Sequence, residues 1–547
     1  SNINSSDIFS IDFINSAYID LEIMDSKISS FDLGKMLPNL KTNYDESWLV
    51  NTNIKGYLND LFIENLLLEN KNNTINFNSN IKNIFHDNYS LTFDVINFDI
   101  NSEEIDRVFP NFFGTVLPSS LKTFGRFKMD GYVDFKTDYV SSKFNLIINQ
   151  GLLKSDLKIF NFSNIDNASY DGTISGFDLD LSSFVNMRNI KKSNFKFEIK
   201  GKGFTKEFLN SSVNGKIYDL DFNNYKLLNT DITGNIKDQI FDGTMLVNDD
   251  NLSLKFNGLI DFSEVLVDFD FDLNLINADL NKLNFDIDSQ ISGLANVKLR
   301  GSEIENIIGD LSLNNVIFKS KGNSTLFEDF NAQLRYNEDI RIVNIRSVDA
   351  FSGILIGEYD FFNLKNTFLN SFGSDYKNYV SDSGTNFQNI SFNINFKPKF
   401  LSLFDQSIEI DENTFLSGSF NSNGDYELGL KSNSLKYDGL SIEEVDVKMD
   451  SDNGRLEIKN IKSNFLEGKE LVMESSFLND TLFVKSNYTS FSNNINKLSF
   501  YHTINSENNS VFGFTDLDLI LNNMEWSLNK VSSSPSLTIN RNSNEFN

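Results

Sequence analysis

Three arrangements in this chain put chemistry-bearing side chains at suggestive spacings. Asp268, Asp270 and Asp272 recur at every second position, two His stand at His86 and His502, and Gly201-Lys202-Gly203 sets a lysine between glycines. Alternate carboxylates could offer oxygen to a hard cation such as calcium, but a calcium loop closes on a bidentate Glu at fixed spacing and none follows here. Period-two acids are also what the watered face of a strand carries. A catalytic His needs a nucleophile and an orienting group. Neither Phe85-His86-Asp87-Asn88 nor Tyr501-His502-Thr503 sits in such a motif, and no G-x-S-x-G elbow frames a Ser. The glycine–lysine run lacks the remainder of G-x-x-x-x-G-K-[ST] and reads as a turn. With no Cys and two His, the chain cannot build thiolate zinc sites, iron–sulfur clusters, disulfide frameworks or a three-His metal site. The expectation is a protein without catalytic residues, metal or cofactor.

Charge narrows the partners. Forty-eight Lys and Arg against 76 Asp and Glu leave a net charge of −28, which repels nucleic acid and anionic membrane surfaces. No stretch approaches the roughly 20 apolar residues of a membrane-spanning helix. The chain opens on Ser1-Asn2-Ile3 without Met or a basic leader and ends in a polar stretch at Asn547, so it is expected to be an internal piece of a longer protein.

The elements that carry these residues have period two. VLVDFDFDLNL, from Val265, places Val267, Phe269, Phe271 and Leu273 on one side of a strand and Asp268, Asp270 and Asp272 on the other. Leu252-Leu254-Phe256, Phe392-Ile394-Phe396 and Phe195-Phe197-Ile199 repeat the pattern. Asn257-Gly258, Asn214-Gly215, Asp242-Gly243, Asp171-Gly172, Asp438-Gly439 and Asn453-Gly454 read as tight hairpin turns. A slip of phase between Val95 and Ile96 predicts a bulge. Helical spacing is confined to Asn101–Phe113 and to Leu364–Tyr379, the latter with Phe368, Leu369, Phe372, Tyr376 and Tyr379. The abundance of Asn, Lys, Ile and Phe reads as codon bias of an AT-rich genome. Along the chain this gives strand blocks over 1–100, 101–200 (opening with the first helix) and 201–360, a helical insert at 361–380, and a last block over 381–547.

The expected fold is all-β, an elongated, twisted and mostly antiparallel groove with a few short amphipathic helices. Fifty-three Phe against two Trp supply large rings without polar handles, suited to a dry surface. One use is a sealed core, as in a secreted or surface β-sandwich acting as an adhesin. The other is a face left partly open, with Leu254, Phe256, Val267, Phe269, Phe271, Leu273, Phe392, Ile394 and Phe396 pointing into a groove. Acyl chains entering such a groove gain about 0.8 kcal/mol per buried CH₂, on the order of 10 kcal/mol for a 16-carbon chain before entropy losses.

The stretch 214–283 contains Asn214-Gly215-Lys216-Ile217, FNNYKLLNTDITGNI, Phe241-Asp242-Gly243, VNDDNLSLKFNGLIDF and Ala278-Asp279-Leu280-Asn281-Lys282-Leu283. It resembles the repeating core of the TamB family, the inner-membrane component of the translocation and assembly module, in its Bacteroidota form. ISGLANVKLRGS at 291–302, Gly309-Asp310-Leu311-Ser312-Leu313 and Phe351-Ser352-Gly353 resemble the next block. The family is similar to AsmA-like and bridge-like lipid-transfer proteins. The resemblance implies a non-enzymatic periplasmic bridge, shaped like a taco, that carries phospholipid between inner and outer membranes. It also implies assistance in assembling outer-membrane proteins or autotransporters, with an inner-membrane anchor helix and an outer-membrane barrel partner of the TamA type, both engaged through segments outside this chain.

An elongated groove predicts a radius of gyration well above the roughly 24 Å of a compact globule of this length. Small-angle scattering that returned the compact value would favour packed sandwiches.

Overall fold

The computed structural model describes residues 11–29, 47–102, 125–162, 166–182, 189–205, 207–285, 287–302, 306–320, 322–337, 339–360, 363–380, 388–401, 403, 405, 407–463, 467–521, 524–528 and 536–539. Strand accounts for 72% of the described residues and helix for 5%, so the fold is all-β and helices only decorate it. The chain divides into two compact units, Ser1–Ser263 with Ile276–Ile287, and Glu264–Leu275 with Asp288–Asn547.

In the first unit, each strand from Tyr18–Ser29 to Leu252–Asp261 pairs antiparallel with the next strand in sequence. The second unit repeats this meander from Gln290–Gly301 to Ser510–Leu521, with one detour. Asn389–Phe396 pairs with Thr414–Phe420, while the two-residue strand Glu409–Ile410 pairs further on with Tyr426–Tyr437. The sheet is not closed.

Turn chemistry follows φ, and of the dipeptides expected to turn Asp438-Gly439 does so while the others serve elsewhere. Asp438-Gly439 is a hairpin turn with φ of 43° and 79°. Equivalent two-residue turns are made by Asn223-Asn224 (50° and 59°), Asp238-Gln239 (53° and 65°) and Asn479-Asp480 (48° and 68°), since Asn and Asp tolerate the left-handed region. Asn257-Gly258, Asn214-Gly215, Asp242-Gly243 and Asp171-Gly172 lie inside strands instead, and Asn453-Gly454 opens one. Gly172, Gly215, Gly243 and Gly454 serve close approach. A Cβ at Gly215 would stand 2.2 Å from the carbonyl oxygen of Lys196 and 2.7 Å from the Phe197 side chain on the paired strand. Gly176, opposite Phe195, has the same role.

Bulges are the second device. The slip at Val95 is one: register shifts between Val95 and Phe98. Elsewhere the bulge residue is a left-handed Asn or Asp whose freed N–H donates to an Asn Oδ1 on a neighbouring strand: Asp25 to Asn51 at 2.6 Å, Asn65 to Asn78 at 2.8 Å, Asp178 to Asn194 at 3.0 Å. Register shifts at each of these places. Much of the Asn content therefore has structural work that a reading as codon bias does not foresee. The helix expected at Asn101–Phe113 falls mostly outside the described residues, and Asn101 itself closes strand Ser90–Asn101. The second expected helix exists as Leu364–Gly373.

Gly176→Val tests the glycine pairing, because a Cβ there comes within 2.4 Å of the Phe195 ring. The substitution should cost about 1–3 kcal/mol as overpacking, read from the urea midpoint, and Phe195→Leu in the same chain should recover part of it.

Candidate functional site

Directly opposed residues of an antiparallel ladder place their side chains on the same side. Starting at Phe256, the register runs to Met245, Ile232, Gly215, Phe197 and Ile174. It continues through Ser155, Phe144, Gly131, Val95 and Phe77. The neighbouring row starts at Leu254 and passes Val247, Thr230, Ile217, Phe195 and Gly176. The opposite side reads Lys255, Leu246, Asp231, Lys216, Lys196, then Ser175 and Lys154. One side of the first unit is thus apolar across strand after strand and the other is largely charged. Phe256 and Val247 are buried, but Leu254, Ile232, Phe197 and Ile174 are only half-buried, while Asp231, Lys196 and Lys154 are exposed. Full burial concentrates in the cluster of Trp48, Ile75, Ile100, Phe127, Ile148 and Leu179, against which Phe77 and Phe195 of these rows pack.

The second unit has the same construction. From Val297 a row passes Leu311, Ala332, Ile345, Gly353 and Ile394, then Leu416, Leu430, Val447, Leu456 and Met473. Phe392 belongs to the adjacent row, between Leu355 and Gly418, followed by Leu428 and Met449. Behind them Asn393, Ser417, Gly429, Lys448, Arg455 and Glu474 form the polar side. Phe392, Ile394 and Phe396 are half-buried. Phe396 packs with Phe351 at 6.3 Å and with Phe400 of the short helix Pro398–Leu401 at 5.9 Å.

On strand Val267–Asp279, Val267, Phe269, Phe271 and Leu273 are half-buried and Asp270 and Asp272 are exposed. The acids answer cross-strand partners: Asp268 lies 3.7 Å from Arg300, Asp270 lies 3.5 Å from Lys298, and Asp272 accepts from Asn296 Nδ2 at 2.8 Å. Among the described residues no group of His, Asp and Glu is arranged to hold a metal ion. His86 sits in an exposed turn, its N–H donating to the Asn83 carbonyl. Gly201 and Lys202 end a strand and Gly203 turns at φ 74°. No described helix is long and apolar enough to cross a membrane.

His502 has a different setting, which sequence reading did not anticipate. Helix Leu364–Gly373 and the turns after it lie over the apolar side of the second unit at one end of its strands. Phe368 packs on Phe420 at 4.5 Å, Phe372 on Tyr426 at 4.8 Å and Tyr376 on Phe477 at 4.9 Å. Tyr376 Oη and His502 Nδ1 share a hydrogen bond of 2.7 Å. The only advance signal was the aromatic spacing of 368, 372 and 376. Burial pushes the Tyr426 phenol up to about 12, with the nearby Asp375 and Asp450 charges adding to it. Burial, then the like charges of Asp452 and Asp425, also raise the Asp375 carboxyl.

A cavity of about 1060 Å³ in the second unit is lined from both sides of the sheet, by Phe392, Leu428 and Met449 and by Lys448, Arg455 and Lys485. Its volume is therefore no measure of the apolar side alone. Because the folded carboxyl of Asp375 is raised, it favours the fold when protonated, below the ordinary carboxylate range. That contribution is lost as pH climbs through the raised value. Asp375→Asn should accordingly raise the unfolding temperature at pH 7, and the gain over the parent should vanish near pH 3. Thermal scans at both pH values check this. No family model, no curated protein and no solved structure matches the chain.

Proposed function

We propose that this chain is a non-enzymatic carrier of acyl chains, a periplasmic bridge along which phospholipid moves between inner and outer membranes. The carrying observation is the set of continuous cross-strand apolar rows, one-sided in each unit and mostly half-buried. A sandwich would seal such rows as a core, whereas half-burial leaves surface for tails to cover, and large apolar surfaces on soluble proteins mark interaction sites. Leu254, Phe256, Val267, Phe269, Phe271, Leu273, Phe392, Ile394 and Phe396 contribute the contacts. Anchoring in the inner membrane, a TamA-type barrel partner and assistance to outer-membrane protein assembly belong to the same reading through the TamB resemblance.

Phe271→Asp against Asp270→Asn is the test, because adjacent residues of a strand face opposite ways. Asparagine is the control because a lysine at 270 would meet Lys298. A charge in the path must be desolvated at a cost of several kcal/mol, and about 1.4 kcal/mol is already tenfold in binding. The first variant should lose at least tenfold of the lipid that copurifies with the parent, at unchanged abundance, and the second should retain it. Photo-crosslinkers at 269 and 271 should capture lipid where those at 268 and 270 do not. Equal capture at both sets would remove the groove assignment, and misfolding of Phe271→Asp would favour a sealed core.

A further inference from the structure

We propose that residues 364–380 are a lateral lid on the apolar side of the second unit, with helix Leu364–Gly373 as the fixed margin and the turns after it as a clasp that releases to admit an acyl chain. This rests on the carrier reading above. The segment interrupts the meander between strands Phe351–Glu358 and Asn389–Phe396, yet its far part reaches strands Glu467–Leu478 and Ile495–Ile504. The surface beneath it belongs to the apolar side: Phe477 opposes Leu482, which opposes His502, which opposes Phe512.

The two parts are held differently. Ring packing fixes the helix, with Phe368 and Phe372 against Phe392, Phe420 and Tyr426. Beyond it the Tyr376 ring still packs on Phe477 at 4.9 Å and on His502 at 5.0 Å, but hydrogen bonds add to the hold: Tyr376 Oη meets His502 Nδ1 at 2.7 Å, Asn378 Nδ2 donates to the Ile504 carbonyl at 2.8 Å, and the Lys377 N–H donates to the Asp480 carboxylate. Water can replace each of these bonds, whereas ring packing has no such substitute. Between the parts stands Asp375, whose carboxylate is disfavoured first by burial and then by the like charges of Asp452 and Asp425, so its charged form works against closure. An acyl chain on Phe477 and His502 would cover what the clasp covers, and lid and lipid therefore compete for one surface.

The chain has no Cys, so Lys377→Cys with Asp480→Cys creates a single possible disulfide across the clasp. With a photo-crosslinking phenylalanine at 392, the full chain is mixed with zwitterionic phosphatidylethanolamine–phosphatidylcholine vesicles carrying a tritiated palmitoyl chain, and capture is followed in time. Oxidation should slow capture about tenfold and reductant should restore it. Tyr376→Phe with Asn378→Ala should speed capture several-fold, and this pair decides the matter if the disulfide fails to form. Capture that proceeds equally in oxidised, reduced and loosened chains overturns the lid while leaving the carrier reading in place. No capture at 392 in any chain, the parent included, overturns both.

Discussion

Everything in this protein depends on cross-strand register. A slip of one residue between neighbouring strands would turn an entire apolar set to the charged side. With nearly every strand paired to its sequence neighbour, such an error would pass to the strands that follow in the unit. The rows through Phe256 and Val297 remain apolar over many strands because side-chain alternation and ladder pairing agree at each step. At several of the places where twist demands an extra residue, the bulge is taken up by a left-handed Asp or Asn and its freed N–H is received by a neighbouring Asn, as in Asp25 with Asn51 and Asp178 with Asn194.

The large number of Phe and the mid-strand glycines belong to one arrangement. Gly176 opposes Phe195 and Gly215 opposes Phe197, so a ring on one strand lies where its partner has no side chain. This keeps the apolar side shallow at those positions without leaving backbone bare. Tyrosine fits the same arrangement where its hydroxyl finds a partner: Tyr488 lies over Gly468 and donates to the Glu467 carbonyl.

How much of this was legible follows from the range of each interaction. Alternation is local, so the sidedness of Phe269, Phe271 and their neighbouring acids could be read directly, as could the bulge at Val95 and the helix after Leu364. The mid-strand Asn-Gly pairs were misread as turns because the same dipeptide suits a turn and a close contact, and only the partner strand distinguishes them. The cations opposite Asp268 and Asp270 lie about thirty residues away, on a strand whose register no local pattern specifies. The reach of Tyr376 to His502 spans 126 positions and had no sequence signal beyond aromatic spacing. The cross-strand rows, on which the functional reading depends, became visible only once register was known.

The meander also constrains how such a chain can change in length. Each added strand widens a unit's sheet by about 4.8 Å and reverses the end at which the chain emerges. A single inserted strand ahead of Leu364–Gly373 would deliver that helix to the opposite end of the strands, away from Phe420, Tyr426 and His502. A whole hairpin would return it to the same end and extend every row by two positions. Growth and loss should therefore proceed in even numbers of strands wherever a covering segment follows, and odd changes should be confined to stretches with nothing downstream to misplace.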